Sequence, residues 1–220
     1  QKGSFQVWRY DRFDLSGFLS KDERKKAGKE LANQLSAKWE RSFDVKGQIK
    51  GEETLRTIGS CDDLFSAREE GFSYGSVGAA GAYSYIGIAC YALRHIVEGK
   101  TATLSALEEL KLDMSITEDL PAEVAFKKSG KKGESWSDVE KLEFKGATGI
   151  NEITFKSEGT THLLGRIASG DFNDDGVSDV IIHLLHSVES SNDFNRKLYV
   201  LTRNSPDELL SVVAEYDVLD

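Results

Sequence analysis

The chain has 220 residues, 39% of them hydrophobic and 30% charged, with a net charge of −9, a balance that lets a globular protein bury a core. The negative surplus argues against a nucleic-acid binder, which needs a basic surface to neutralise phosphates. Two basic runs, Lys21–Lys26 and Lys127–Lys132, do not reverse it: the first is interleaved with acids and the second centres on the loop-forming Gly130.

The chain begins at Gln1 and shows no charged-then-apolar leader. It is expected to be an exported protein, periplasmic or extracellular, whose signal peptide has been removed. The opening FQVWRYDRFDLSGF carries Phe5, Trp8, Tyr10, Phe13 and Phe18. It is expected to pack as a strand or arm, or to offer an aromatic surface to a partner or a sugar. Ser20 and Glu23 then form a capping box. From there Ala27, Leu31, Leu35 and Trp39 fall at i+4 steps, one apolar stripe on a helix expected to end near Phe43.

A second helix is expected around residues 61–70, a third over 77–97 stopped by Gly99, and a short fourth over Ser105–Leu112. The third contains the longest uncharged stretch, VGAAGAYSYIGIACYAL. Glycine, serine and tyrosine dilute it, so it reads as a buried helix packed through small residues and not as a membrane span. Cys61 and Cys90 are too few for a zinc site and do not form a CxxC pair. In an oxidising compartment they can bridge, closing a loop worth roughly 3–4 kcal/mol in chain entropy; otherwise they are buried thiols.

GFSYG, Gly71–Gly75, matches the G-x-S-x-G elbow with Ser73 as nucleophile, but the polar FSAREEG before it does not supply the buried strand that an elbow needs. GSVGAAG, Gly75–Gly81, misses the dinucleotide fingerprint. No catalytic and no cofactor-binding residue is assigned on these signals.

After Pro121 the texture changes. AEVAF, KLEFKG, NEITFKS, HLLGRIA, DVIIHLL, KLYVLTR and LLSVVAEYD are short segments rich in Val, Ile, Leu and Phe, separated by Gly, Asn, Asp and Ser, the pattern of an antiparallel meander. The expected fold class is therefore α+β: a mainly helical region over 1–120, then an antiparallel β-meander over 121–220, as two domains or around one shared core.

The sharpest chemical signal is GDFNDDGVSDVII, Gly170–Ile182. Counting from Asp171, oxygen-bearing side chains stand at positions 1, 3 and 5 (Asp171, Asn173, Asp175), glycine at 6 and Asp179 at 9. This is the start of a calcium loop: alternate side chains turn toward one centre, the glycine permits the bend, and the carbonyl of position 7, Val177, can join them. Position 12 is Ile182, where an EF-hand needs a bidentate Glu, and a strand follows instead of a helix. The run resembles the calcium loops of FG-GAP repeats over about residues 167–185. The resemblance implies Ca²⁺ held by Asp171, Asn173, Asp175, the Val177 carbonyl and Asp179. No second copy follows, so a propeller is not implied. The other reading of Asn-Asp-Asp-Gly is a hairpin turn.

His183 and His186 sit three apart in an expected strand, so they point to opposite faces, with His162 on a neighbouring segment able to approach one of them. The expectation is an exported, non-catalytic binding or inhibitor-type protein with a structural calcium loop and a protein partner. The alternative is a secreted hydrolase built on Ser73 or on His162, His183 and His186.

Overall fold

The computed structural model describes residues 13–14, 21–40, 42–49, 51–74, 77–107, 110–126, 130–148, 151–191 and 193–217, without the side chains of 13–14, 21–27, 74 and 77–83. The expected Ser20–Glu23 capping box, most of the N-terminal aromatic stretch and part of the Lys127–Lys132 run lie outside these residues. Strand accounts for 41% and helix for 26%. The described residues up to Val97 form one compact unit, and those from Glu98 to Asp217, with Phe13–Asp14, form the other.

The first unit corrects the expectation of a helical half. Helix α1 (Lys21–Ser36) stops well short of Phe43. The Trp39 amide instead donates to the Gly59 carbonyl at 2.8 Å, and the chain turns into a hairpin of β2 (Phe43–Ile49) and β3 (Glu52–Ile58). Gly51, at φ 86°, makes the turn, a conformation glycine adopts without a Cβ clash. The two-residue strand β4 (Ser73–Tyr74) pairs with β2, giving the order β3-β2-β4. A β-carbon on Gly47 would stand 2.7 Å from the Phe72 ring, so that glycine lets the ring pack against β2.

Helix α2 (Cys61–Glu69) is capped by Ser60, whose side chain accepts the Asp63 amide, satisfying one donor of the open first turn. Helix α3 (Val77–Glu98) fulfils the expected third helix. No described helix is long and apolar enough to cross a membrane. Cys61 and Cys90 are joined in a disulfide between α2 and α3, with Cα atoms 5.3 Å apart.

The second unit is a meander. Strands β5 (Glu143–Ala147), β6 (Glu152–Ser157), β7 (Thr160–Gly170), β8 (Asp179–Val188), β9 (Phe194–Thr202) and β10 (Ser211–Asp217) lie in sequence order, each antiparallel to the next. Strand β1 (Phe13–Asp14) pairs parallel with β7 at Ala168 and Ser169. Every expected strand after Pro121 forms except AEVAF. That segment is a 3₁₀ turn at Ala122–Val124, in a cap covering one sheet face together with short helices α4 (Ile116–Asp119) and α5 (Trp136–Val139). The helix expected over Ser105–Leu112 is absent at the described residues of that stretch.

The core between cap and sheet joins Leu120, Val124 and Trp136 to Phe155, Leu164 and Ile182. Burying apolar side chains of this size stabilises the fold by about 1.5–3 kcal/mol each relative to exposure. It also places β7, β8 and their connection at the centre of the sheet.

Candidate functional site

The acidic run is the β7–β8 connection. It leaves β7 at Gly170 and enters β8 at Asp179, and these two residues are register partners. The chain follows the positive-φ path expected of a tight loop, with Asp174 at φ 66° and Gly176 at φ 85°. Side-chain oxygens organise the turn. Asp171 Oδ1 accepts the amides of Asp174 (2.7 Å) and Asp175 (3.2 Å), and its Oδ2 accepts that of Gly176 (3.0 Å). Asn173 Oδ1 accepts the Asp175 amide and Asp175 Oδ1 accepts the Val177 amide.

A second strip of chain holds the loop in place. Lys100 and Asp171 exchange backbone hydrogen bonds of 2.8 and 3.0 Å, and the Gly176 carbonyl accepts from the amides of Thr103 and Leu104. The exposed Lys100 ammonium reaches Asp174.

Asp179 is fully buried. Its Oδ2 accepts the Phe172 amide at 2.8 Å, while Oδ1 has no hydrogen-bond partner among the described residues. The Thr202 hydroxyl stands near enough to temper the acid, but its Oγ1 and Asp179 Oδ1 are both without a hydrogen-bond partner among the described residues. Burial pushes the Asp179 carboxyl above its ordinary range, and the charges of Asp175 and Asp171 push the same way. A buried carboxylate in this position calls for a proton or a cation.

The donor set suits a hard cation. Each carboxylate oxygen has two lone-pair directions, and Asp171 Oδ2 and Asp175 Oδ1 each accept a single amide. As arranged here, though, the carboxylates face backbone amides, and among the described residues no three acidic, histidine or cysteine side chains converge as metal ligands.

The histidines divide as the strand period dictates. His162 and His186 are direct register partners on β7 and β8, with their Nδ1 atoms 2.6 Å apart. His162 Nε2 lies 2.8 Å from Ser157 Oγ and 3.3 Å from Glu140 Oε1. Glu140 also receives the Ser157 hydroxyl and, at 2.7 Å, the Trp136 indole N–H. Burial pushes the Glu140 carboxyl up, but the bonds from His162, Ser157 and Trp136 outweigh it and bring it down to about 2. Burial, then the neighbouring His162, brings His186 down to about 3.

No protein-family model, no curated protein and no solved structure matches this chain.

The candidate residues therefore stand on geometry alone. Ser157, His162 and His186 have the spacing of a nucleophile, base and orienting group. However, the Ser157 proton is directed at Glu140, and both rings are buried under Trp136, which meets them edge-on. That is a structural network. Ser73 is exposed within the two-residue edge strand β4, opposite Lys46, and not at the end of the buried strand that an elbow nucleophile needs. His183 faces Glu152 at 3.4 Å on the other side of the sheet. Sequence reasoning found the histidine pair but missed Glu140, Trp136 and Ser157, which tertiary approach selects and no spacing announces.

Proposed function

We propose that this chain is a non-catalytic binding or inhibitor-type protein of an oxidising compartment, periplasmic or extracellular, whose β7–β8 loop takes up calcium as a structural staple. The observation that carries the reading is Asp179: a buried carboxylate with one unpartnered oxygen, pushed upward by burial and by the charges of Asp175 and Asp171. Calcium would draw on Asp171, Asn173, Asp175, the Val177 carbonyl and Asp179, as in the FG-GAP-type loop that the run resembles. Its role would be to neutralise the three carboxylates and fix the entry to β8. The Cys61–Cys90 disulfide supports an oxidising compartment. Action on a macromolecular partner accords with a chain whose His162, His186 and Glu140 are occupied with one another inside the core.

The test is a thermal melt of chelator-stripped protein with and without millimolar calcium, beside an Asp171→Ala/Asp175→Ala double variant. A cation that binds only the folded state raises Tm. A rise in the wild type that the double variant lacks is expected. Equal melts with and without calcium would reduce the loop to a turn. Ester cleavage lost on Ser73→Ala in a folded protein would overturn the non-catalytic reading.

A further inference from the structure

The outer strands of the two sheets are built differently. In the large sheet the outer strands are β5 and β10, and each carries a register shift, between Phe144 and Gly146 in one and between Val212 and Ala214 in the other. Such a bulge turns an edge away from further pairing. In the small sheet β4 is only two residues long, but β3 pairs with β2 along all of Glu52–Ile58 with no shift. It contains no proline, and among the described strands none pairs on its outer side. A regular, open edge of this kind is a template for another strand.

The register shows which groups are open. Ile49 and Glu52 are the last pair before the Gly51 turn, and in a hairpin closed this tightly that pair exchanges both its hydrogen bonds. Alternation along the ladder then commits the backbone groups of Thr54, Arg56 and Ile58 to β2 as well. Those of Glu53, Leu55 and Thr57 point outward. The side chains of these three share one face and are exposed, Leu55 at 61%. The other face is packed: Ile58 is buried, and Arg56 is held by Glu70 and Ser66.

We propose that β3 is a self-association edge, pairing antiparallel with β3 of a second copy of this chain about a two-fold axis at Leu55. In that register Leu55 meets the partner's Leu55, Glu53 meets Thr57, Thr54 meets Arg56 and Glu52 meets Ile58. No like charges stand opposite one another, and Arg56 lies diagonal to the partner's Glu52, so the strand is complementary to itself. Slipping to either neighbouring register that joins the same open groups is worse. One sets Arg56 against the partner's Arg56, the other sets Leu55 against Glu53, and both leave strand ends unpaired. A single strand edge is a small interface, so the dimer is reversible and depends on concentration.

The experiment is sedimentation velocity of the full chain from about 1 μM to about 1 mM, the span in which weak complexes fill, with amide hydrogen exchange at both extremes. The wild type should move from monomer toward dimer. The amides of Glu53, Leu55 and Thr57 should gain protection with concentration, while those of Thr54 and Arg56, already bonded to β2, hold theirs. Leu55→Lys and Leu55→Glu each put like charges face to face at the axis and should raise the dimer Kd by about tenfold or more. An equimolar mixture of the two variants should recover the dimer, because unlike charges then meet. Leu55 is exposed, so neither change should unfold the monomer; if one does, the wild-type exchange pattern decides alone. A dimer whose three outer amides stay unprotected, or variants that dimerise as the wild type does, would overturn the pairing. A chain that is monomeric throughout would overturn it too and leave the edge to a strand of a foreign protein.

Discussion

Gly165 on β7 faces His183 on β8 in direct register, and a β-carbon built on Gly165 would stand 2.0 Å from His183 Nε2. His183 is buried, so its ring cannot swing clear, and the glycine is required by the imidazole opposite. Gly165→Ala should destabilise the protein by about 1–3 kcal/mol, the usual cost of overpacking. In a double-mutant cycle with His183→Ala most of that cost should vanish, since the two positions share one space. Equal cost of Gly165→Ala in both backgrounds, by urea unfolding, would contradict this account.

Asp179→Asn separates charge from shape in the loop. It removes the buried charge whose Oδ1 lacks a partner while leaving an oxygen for the Phe172 amide. Chelator-stripped Asp179→Asn should melt at or above the wild type, because a repelled, desolvated charge has gone. Its calcium response should shrink sharply. On the proposed calcium reading, calcium at one hundred times Kd would be worth about 2.7 kcal/mol in the wild type. A variant that kept the full calcium shift would remove Asp179 from the ligand set.

The sheet was legible because β6 to β10 are separate runs of Val, Ile, Leu and Phe broken by Gly, Asn and Asp. The β2–β3 hairpin was not. FDVKGQIKGEETLRTI is mostly polar, and β2 buries only Val45, so alternation is too weak to oppose the helical stripe before it. Gly47 and Gly51 were the available signals, one admitting the Phe72 ring and the other making the turn. The loop was legible as a spacing, and Gly176 adopts the bend that spacing required. Glu140 was hidden among 37 acids because nothing local marks the one that folding brings beneath Trp136.

Stability against acid should follow the same network. His186 lies at about 3 when folded against an ordinary value near 6.5. The unfolded chain therefore gains this proton first, and stability falls as pH drops from about 6.5 toward 3. Glu140 lies at about 2, below its ordinary value, so its contribution is present above about 4.5 and is lost as pH falls toward 2. Denaturant unfolding should show stability falling by about 1.4 kcal/mol per pH unit between pH 6 and 4.5, then more steeply below. A stability curve flat from pH 6.5 to 4.5 would contradict the buried, neutral His186.

The disulfide acts on the first unit. It closes a separation of 29 residues between α2 and α3, so reduction should cost about 3 kcal/mol through the freed unfolded chain. The loss should show in exchange protection of α2 and α3 while the β7–β8 amides keep theirs. Uniform loss across both units would mean that they unfold as one cooperative block.

Arg203 supplies an asymmetry that can be measured. The side chain is buried, its Nε donates to the Ala106 carbonyl at 2.9 Å, and Nη1 reaches Asp119 Oδ1 at 2.7 Å. Asp119 is partly open to water, and its backbone carbonyl separately accepts the Leu210 amide. The two partners are therefore not equivalent. Arg203→Ala strands the Ala106 carbonyl, opens a cavity and unties the cap from the end of β9, at a cost of about 3–5 kcal/mol. Asp119→Asn leaves the guanidinium on Ala106 and puts a neutral acceptor where the carboxylate was, so it should cost nearer 1 kcal/mol. Arg203→Lys should fall between them, because an ammonium cannot reproduce the forked geometry that spans both acceptors. Urea unfolding of the three variants gives the order directly. If Asp119→Asn proved as costly as Arg203→Ala, the ion pair would be the dominant tie and the buried backbone contact a minor one.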